Sequence, residues 1–252
     1  NKKDGRYEPY YMTDYTYDKR FMTLFPRMYS TDPDHIRQYQ YWGKIKGKKV
    51  TVRSGGGSEQ VIIPTFGENL RFFFRYQVGV MYMRYFMWNF SGRQNDVQGN
   101  GNVMDGNWIS GIPFIDNPRL GDQSLLPEEN HNNPARNAYY LLPLLAGLAG
   151  IWWHYRRDGK GLTLVVVLFL MTGLAIVTYL NQYPSQPRER DYAYAGSFYA
   201  FTIWIGMSVM LIYDLLRKLM KEYPAAVIPS ALIMAAVPLL MLIRNYDDHD
   251  RS

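Results

Sequence analysis

Leu180-Asn181-Gln182-Tyr183-Pro184-Ser185-Gln186-Pro187-Arg188-Glu189-Arg190-Asp191-Tyr192 is a polar connector with two prolines and four charges, set between two long apolar runs. Residues 162–182 before it and 192–213 after it hold no Asp, Glu, Lys or Arg. A helix rises about 1.5 Å per residue, so ~20 apolar residues cross a hydrocarbon core of ~30 Å. Proline cannot continue a helix, and charged groups avoid the hydrocarbon. The connector therefore reads as a turn just outside a membrane, with its charges held at the boundary.

Working outward, residues 137–153 and 223–243 are also free of those four charged types. The reading is a membrane α-helical fold with about four transmembrane helices over residues 137–243, the first of them marginal in length. The mean hydropathy of −0.28 hides this by averaging the apolar part with a polar one. Residues 1–136 read as an extramembrane α+β region, and residues 244–252 as the start of a C-terminal region on the same side. With no cysteine in the chain, neither a disulfide framework nor a thiolate zinc site is open to it. The net charge of +6 is modest, and no basic run is interleaved with aromatics as a nucleic-acid surface would need. The chain begins at Asn1 without Met, which is read as a segment of a longer protein with further helices upstream.

Two short connectors, residues 154–161 and 217–222, each carry three Lys or Arg and one acid. The excess of cations assigns both to the cytoplasm. Alternation then puts residues 1–136, the 181–191 connector and the tail from Arg244 on the opposite face.

Within residues 1–136, a helix is predicted over 34–42, capped by Asp32 or Asp34. A hairpin follows near 50–63, its strands joined by Ser54-Gly55-Gly56-Gly57-Ser58. The cluster Lys44-Ile45-Lys46-Gly47-Lys48-Lys49 reads as a solvated turn leading into it. Residues 68–90 form a long helix with nine aromatic residues and the cations Arg71, Arg75 and Arg84. Such a helix reads as an interfacial aromatic helix lying at the headgroup boundary, the alternative being burial in the outer region. Residues 91–136, rich in Gly, Asn, Asp and Pro, read as a long ligand-facing loop.

Two constellations carry chemistry. Arg188 and Arg190 present guanidiniums suited to clamp a phosphate or pyrophosphate, with Glu189 and Asp191 able to pair with them, bind a sugar hydroxyl or act as a base. Tyr192 and Tyr194 follow at the depth of an interfacial aromatic belt. The same spacing also suits a salt-bridge cluster that merely fixes the loop. Asp247-Asp248-His249-Asp250 has the residue types of a metal site, but neighbours in an extended chain point to alternate sides. It reads as an acidic exit from the last helix, and no metal is assigned. The spans hold almost no ionisable groups, which counts against an ion or proton pathway.

The blocks Pro64-Thr65-Phe66-Gly67-Glu68-Asn69-Leu70-Arg71-Phe72-Phe73-Phe74 and Tyr85-Phe86-Met87-Trp88-Asn89-Phe90-Ser91-Gly92-Arg93-Gln94-Asn95-Asp96 are distinctive, as are Asp105-Gly106-Asn107-Trp108-Ile109-Ser110-Gly111 and residues 186–201. Together with residues 247–252 they make the chain resemble a large bacterial membrane-protein family, domain of unknown function 2723. That family is similar to the GT-C glycosyltransferases and to an animal protein O-mannosyltransferase. The resemblance implies a bacterial inner-membrane enzyme of the cell envelope. It would transfer sugar from a polyprenyl-phosphate donor to an acceptor, such as a protein, on the periplasmic side. It also implies a catalytic acid in an earlier outer loop, so no catalytic residue is assigned here. Arg188 and Arg190 are then the donor-phosphate candidates, with Glu189, Asp191, Tyr192 and Tyr194 supporting. The competing expectation is a non-catalytic membrane scaffold or glycan- or protein-binding subunit of an envelope assembly.

Overall fold

A computed structural model of the protein describes residues 2–3, 6–7, 18–23, 28–54, 57–99, 101–185 and 190–249. It is mostly helical, with small two-stranded ladders. Among the described residues, three helices are long and apolar enough to cross a membrane: Gly159–Leu180, Asp191–Leu216 and Glu222–Tyr246. The first and third bury only 11% of their apolar windows within the protein, so most of that surface faces outward. The fourth expected span is shorter. It forms the 16-residue helix Leu142–Arg157, after a ladder at Asn137–Ala138 and a left-handed turn at Tyr140 and Leu141. At about 1.5 Å per residue it is ~24 Å long, less than a ~30 Å core.

That short helix lies along the second span, and small residues explain how. A β-carbon on Gly147 would overlap the Phe201 ring, and one on Gly150 would overlap the Trp204 carbonyl oxygen. In lipid, helices gain little from hydrophobic burial against each other. Close approach across small residues provides van der Waals contact instead. Buried His154 closes the interface, with its Nδ1 accepting the Trp204 indole N–H at 3.2 Å.

The first span breaks at Thr172 and Gly173 between Gly159–Met171 and Leu174–Leu180. Gly173 sits there against the Tyr82 hydroxyl and Ser197. The third span widens into a π turn at Ala235–Leu239, where Pro238 removes a backbone donor from the ladder.

The helix predicted at 68–90 begins two residues earlier and runs to Phe90 as Phe66–Phe72, a π stretch Phe73–Met83 and Arg84–Phe90. It is buried, but against the helical bundle rather than inside the outer region. Phe86 and Phe90 pack on Phe201 with ring centroids 4.9 and 4.6 Å apart. The Tyr82 hydroxyl donates to Ser197 Oγ, and Gln77 donates to Asn181 Oδ1 and the Gln182 carbonyl. The aromatic load is thus spent on the bundle. Arg84 is buried as well: its guanidinium donates to the carbonyls of Gly99 and Gly106 and lies over the rings of Tyr85 and Trp88.

In the N-terminal region the helix Pro33–Gly43 has proline in its first turn, and the Asp32 carboxylate accepts the Asp34 N–H. The hairpin pairs Lys48–Ser54 with Gly57–Ile63. The basic turn before it is more than solvated. The N–H groups of Lys46 and Gly47 both donate to Glu68, whose carboxylate also closes a capping box with Thr65.

Residues 91–136 are not one loop. They contain the helix Pro113–Leu120, a 3₁₀ turn Gln123–Leu125 and a short helix Glu128–His131. The buried Asp116 carboxylate organises the first of these by accepting N–H groups from Ser110 and Gly111 and the Ser110 hydroxyl.

The basic connectors share one end of the bundle. There the Asp214 carboxylate pairs with Arg157 at 2.7 Å and Arg217 at 3.2 Å, and accepts the Trp153 indole N–H at 2.8 Å. At the other end, the start of the second span, the end of the third and the residue 91–93 turn come together.

Candidate functional site

A cleft of about 660 Å³ opens at that second end. Four chain segments build it. Tyr85, Trp88 and Asn89 line one wall, spaced three and four residues apart on one helix face. Arg93 comes from the Gly92–Arg93 strand, which is antiparallel to Asn137–Ala138. Asn137 and Tyr139 come from the entry to the short helix, and Asp191 from the first residue of the second span. Asn245 and Tyr246 complete the rim from the last turns of the third span.

A hydrogen-bonded chain fixes the polar side of the cleft. The Arg93 N–H donates to Asn137 Oδ1 at 3.1 Å. Asn137 Nδ2 donates to Asn245 Oδ1 at 2.8 Å, and Asn245 Nδ2 donates to the Tyr139 hydroxyl at 2.8 Å and the Met241 carbonyl. Gly92 makes the strand crossing feasible. At φ 143° it occupies backbone space open to glycine, and a β-carbon there would strike the Asn137 carbonyl. The Arg93 Nε donates to the Ala135 carbonyl, and its guanidinium lies over the Trp88 ring.

The lining is chemically mixed: aromatic rings, three carboxamides, one guanidinium and one carboxylate. Ring faces accept the apolar C–H side of a pyranose, while carboxamides and the carboxylate satisfy hydroxyls. Convergent polar groups in a part-apolar cleft are the ordinary signature of a small-ligand site.

The residues singled out in the 181–192 connector are not gathered at one point. Arg188 and Glu189 lie outside the described residues. Arg190 is exposed, and its carbonyl accepts the Ala193 N–H. Asp191 lines the cleft. Tyr192 is exposed, whereas Tyr194 is buried against Tyr82 at 5.6 Å and packs with Phe73 and Val177. In the acidic exit, Asp247, Asp248 and His249 continue the last helix, and Asp250 lies outside the described residues.

Sequence reasoning did not pick out Trp88, Asn89, Arg93, Asn137 or Asn245 for the site. A signal existed for the first two, since Tyr85, Trp88 and Asn89 fall on one helical stripe that ends in polar residues. Nothing local marks Asn137 and Asn245 as partners.

Residues 1–74 match the model of a family of unknown function, DUF8416. The match takes in the hairpin and the start of the aromatic helix and stops short of the cleft. No curated protein and no solved structure matches the chain. Nothing in these comparisons links it to domain of unknown function 2723 or to GT-C mannosyltransferases.

Proposed function

We propose that this chain is a segment of a GT-C-like integral membrane glycosyltransferase that receives a polyprenyl-phosphate sugar from the bilayer and passes the sugar to an acceptor on the extracytoplasmic face. The observation that carries the reading is the cleft itself. It combines Trp88, Tyr85, three carboxamides and Asp191 at the end of a bundle whose opposite end holds the basic connectors. By the positive-inside rule those connectors are cytoplasmic, so the cleft faces outward, into the periplasm of a bacterial inner membrane. In this reading Leu142–Arg157 is the fourth membrane helix, reaching the boundary by local thinning of the bilayer.

The assigned roles follow from chemistry. Asp191 accepts sugar hydroxyls, Trp88 offers a ring face, and Arg188 and Arg190 of the connector are the donor-phosphate ligands. Glu189, Tyr192 and Tyr194 support the connector. The catalytic acid belongs to an upstream outer loop, as the resemblance of the motifs quoted above to domain of unknown function 2723 implies.

One observation favours a second reading, a glycan- or protein-binding subunit without transferase activity. Asp191 is the single carboxylate among the described residues lining the cleft, and transfer chemistry ordinarily employs more than one titratable group. Full-length protein in proteoliposomes with radiolabelled polyprenyl-phosphate sugars separates the two. Transfer that falls at least tenfold in Asp191→Asn and in Arg188→Ala/Arg190→Ala supports the enzyme reading. Glycan capture with no transfer by the wild type supports the second. Full activity in those variants removes the roles given to these residues.

A further inference from the structure

The other end of the bundle holds a second concavity of about 320 Å³, between the short helix Leu142–Arg157 and the second span. Four cations line it, Arg156, Arg157, Arg217 and Lys218, against the one carboxylate of Asp214. These cations are not equivalent. Asp214 holds Arg157 and Arg217 and also anchors the Trp153 indole, so those two cations are already paired. Arg156 and Lys218 stand at the rim, both exposed, and neither makes an ion pair among the described residues. Arg156 lies over the Trp152 ring at 5.2 Å, and Trp152 is 52% exposed. Below the rim, Leu211 and Leu215 continue the groove onto the outward apolar surface of the second span.

We infer that this groove binds the headgroup phosphate of an anionic phospholipid of the bilayer in which the protein sits. Three features converge on that ligand. The excess of cations calls for an anion, and guanidiniums suit a phosphate. The tryptophan pair is of the residue type that settles at headgroup level. The leucine floor runs toward the hydrocarbon, so an acyl chain has a continuous apolar track from the charged rim. A soluble anion would have no use for that track. Basic pockets between membrane helices attract anionic headgroups for these reasons. The inference is independent of the saccharide cleft, which lies at the opposite end.

The test uses full-length protein in a mild detergent, with native mass spectrometry to count bound lipid after addition of phosphatidylglycerol, phosphatidylcholine or inorganic phosphate. The expected result is one retained phosphatidylglycerol, preferred over phosphatidylcholine and not displaced by millimolar phosphate. Arg156→Gln/Lys218→Gln should weaken its retention about tenfold or more. These rim residues are exposed, so the variant should melt at the wild-type temperature in lipid-free detergent. As a second measurement, brominated phosphatidylglycerol should quench tryptophan emission, with part of the quenching lost in Trp152→Phe. Equal retention of both lipids, or undiminished retention in the double variant, would overturn the inference. Displacement by inorganic phosphate at comparable concentration would overturn the lipid assignment in favour of a soluble phosphate ligand.

Discussion

Asn137 and Asn245 face each other amide to amide at 2.8 Å, although the chain between them crosses the whole helical bundle. This one contact ties the entry of the short helix to the end of the third span, and it forms the polar wall of the cleft. Each carboxamide is also engaged elsewhere: Asn137 accepts from the Arg93 N–H, and Asn245 donates to the Tyr139 hydroxyl. A double-mutant cycle on Asn137→Ala and Asn245→Ala should therefore show coupling. Pairs of this kind in membrane proteins average about 0.6 kcal/mol and reach about 1.7. Thermal unfolding of the four proteins in detergent measures it, and strict additivity of the two single effects would mean the contact carries no energy.

Gly150 and Gly206 both sit inside helices, yet they should respond oppositely to the same substitution. At Gly150 a β-carbon meets the Trp204 backbone, which cannot swing aside; at Gly206 nothing lies within reach. Gly150→Ala should cost about 1–3 kcal/mol by forcing the two helices apart. Gly206→Ala should be neutral, or stabilising by up to about 1 kcal/mol through helix propensity alone. Melting temperatures of the two variants decide it, and matching shifts would show that the helices do not pack as described.

Glu68 gives a pH dependence with a defined sign. Burial raises the carboxyl pKa, but the N–H groups of Lys46, Thr65 and Gly47 together with the Thr65 hydroxyl outweigh it and hold the group down at about 2. The folded value is below the ordinary one of 4.5. The stabilisation is therefore fully present above about pH 4.5 and is lost as pH falls toward 2. Glu68→Gln should cost roughly 1–2 kcal/mol at neutral pH, because its amide NH₂ must confront a backbone donor. It should also flatten the acid limb of the stability curve. Unfolding followed between pH 6 and pH 2 gives both quantities, and parallel acid limbs in wild type and variant would contradict the assignment.

The parts legible in the sequence were those decided by local composition. Three uncharged runs became helices able to cross a membrane, and Asp32 capped its helix through its own side chain. Gly147 and Gly150 were not singled out, and no window shows that Phe201 and Trp204 would fill the space opposite them. The helix Pro113–Leu120 escaped because Pro118 interrupts its eight residues and the surrounding Gly and Asn dominate any window. Pro113 at its first turn, with Asp116 soon after, was the available start signal. The cleft was the least legible part. Asp191 was flagged from its connector, but its neighbours Trp88, Asn137 and Asn245 arrive from distant segments through packing that no window can see.

Arg84 joins the aromatic helix to the loop beside it, and its replacement tests how that region is held. Its guanidinium reaches two carbonyls from different parts of the loop, Gly99 at 3.2 Å and Gly106 at 3.1 Å, while Nε donates to Val80. Glycine is needed at 106, where φ is 64° and a β-carbon would crowd the guanidinium. A lysine offers a single ammonium on a flexible stem and cannot reproduce the planar fork. Arg84→Lys should thus cost about 1–2 kcal/mol, and Arg84→Met about 2–3, since methionine keeps the apolar stem but leaves the carbonyls unpaired. The loop should become sensitive to limited proteolysis between residues 99 and 106 in the same order, methionine more than lysine. The bundle's own helices do not depend on this contact and should keep their far-ultraviolet dichroism. A methionine variant as stable and as protease-resistant as the wild type would show that the loop is held by its Asn and Gln side chains, such as Asn95 and Gln94, rather than by the buried cation.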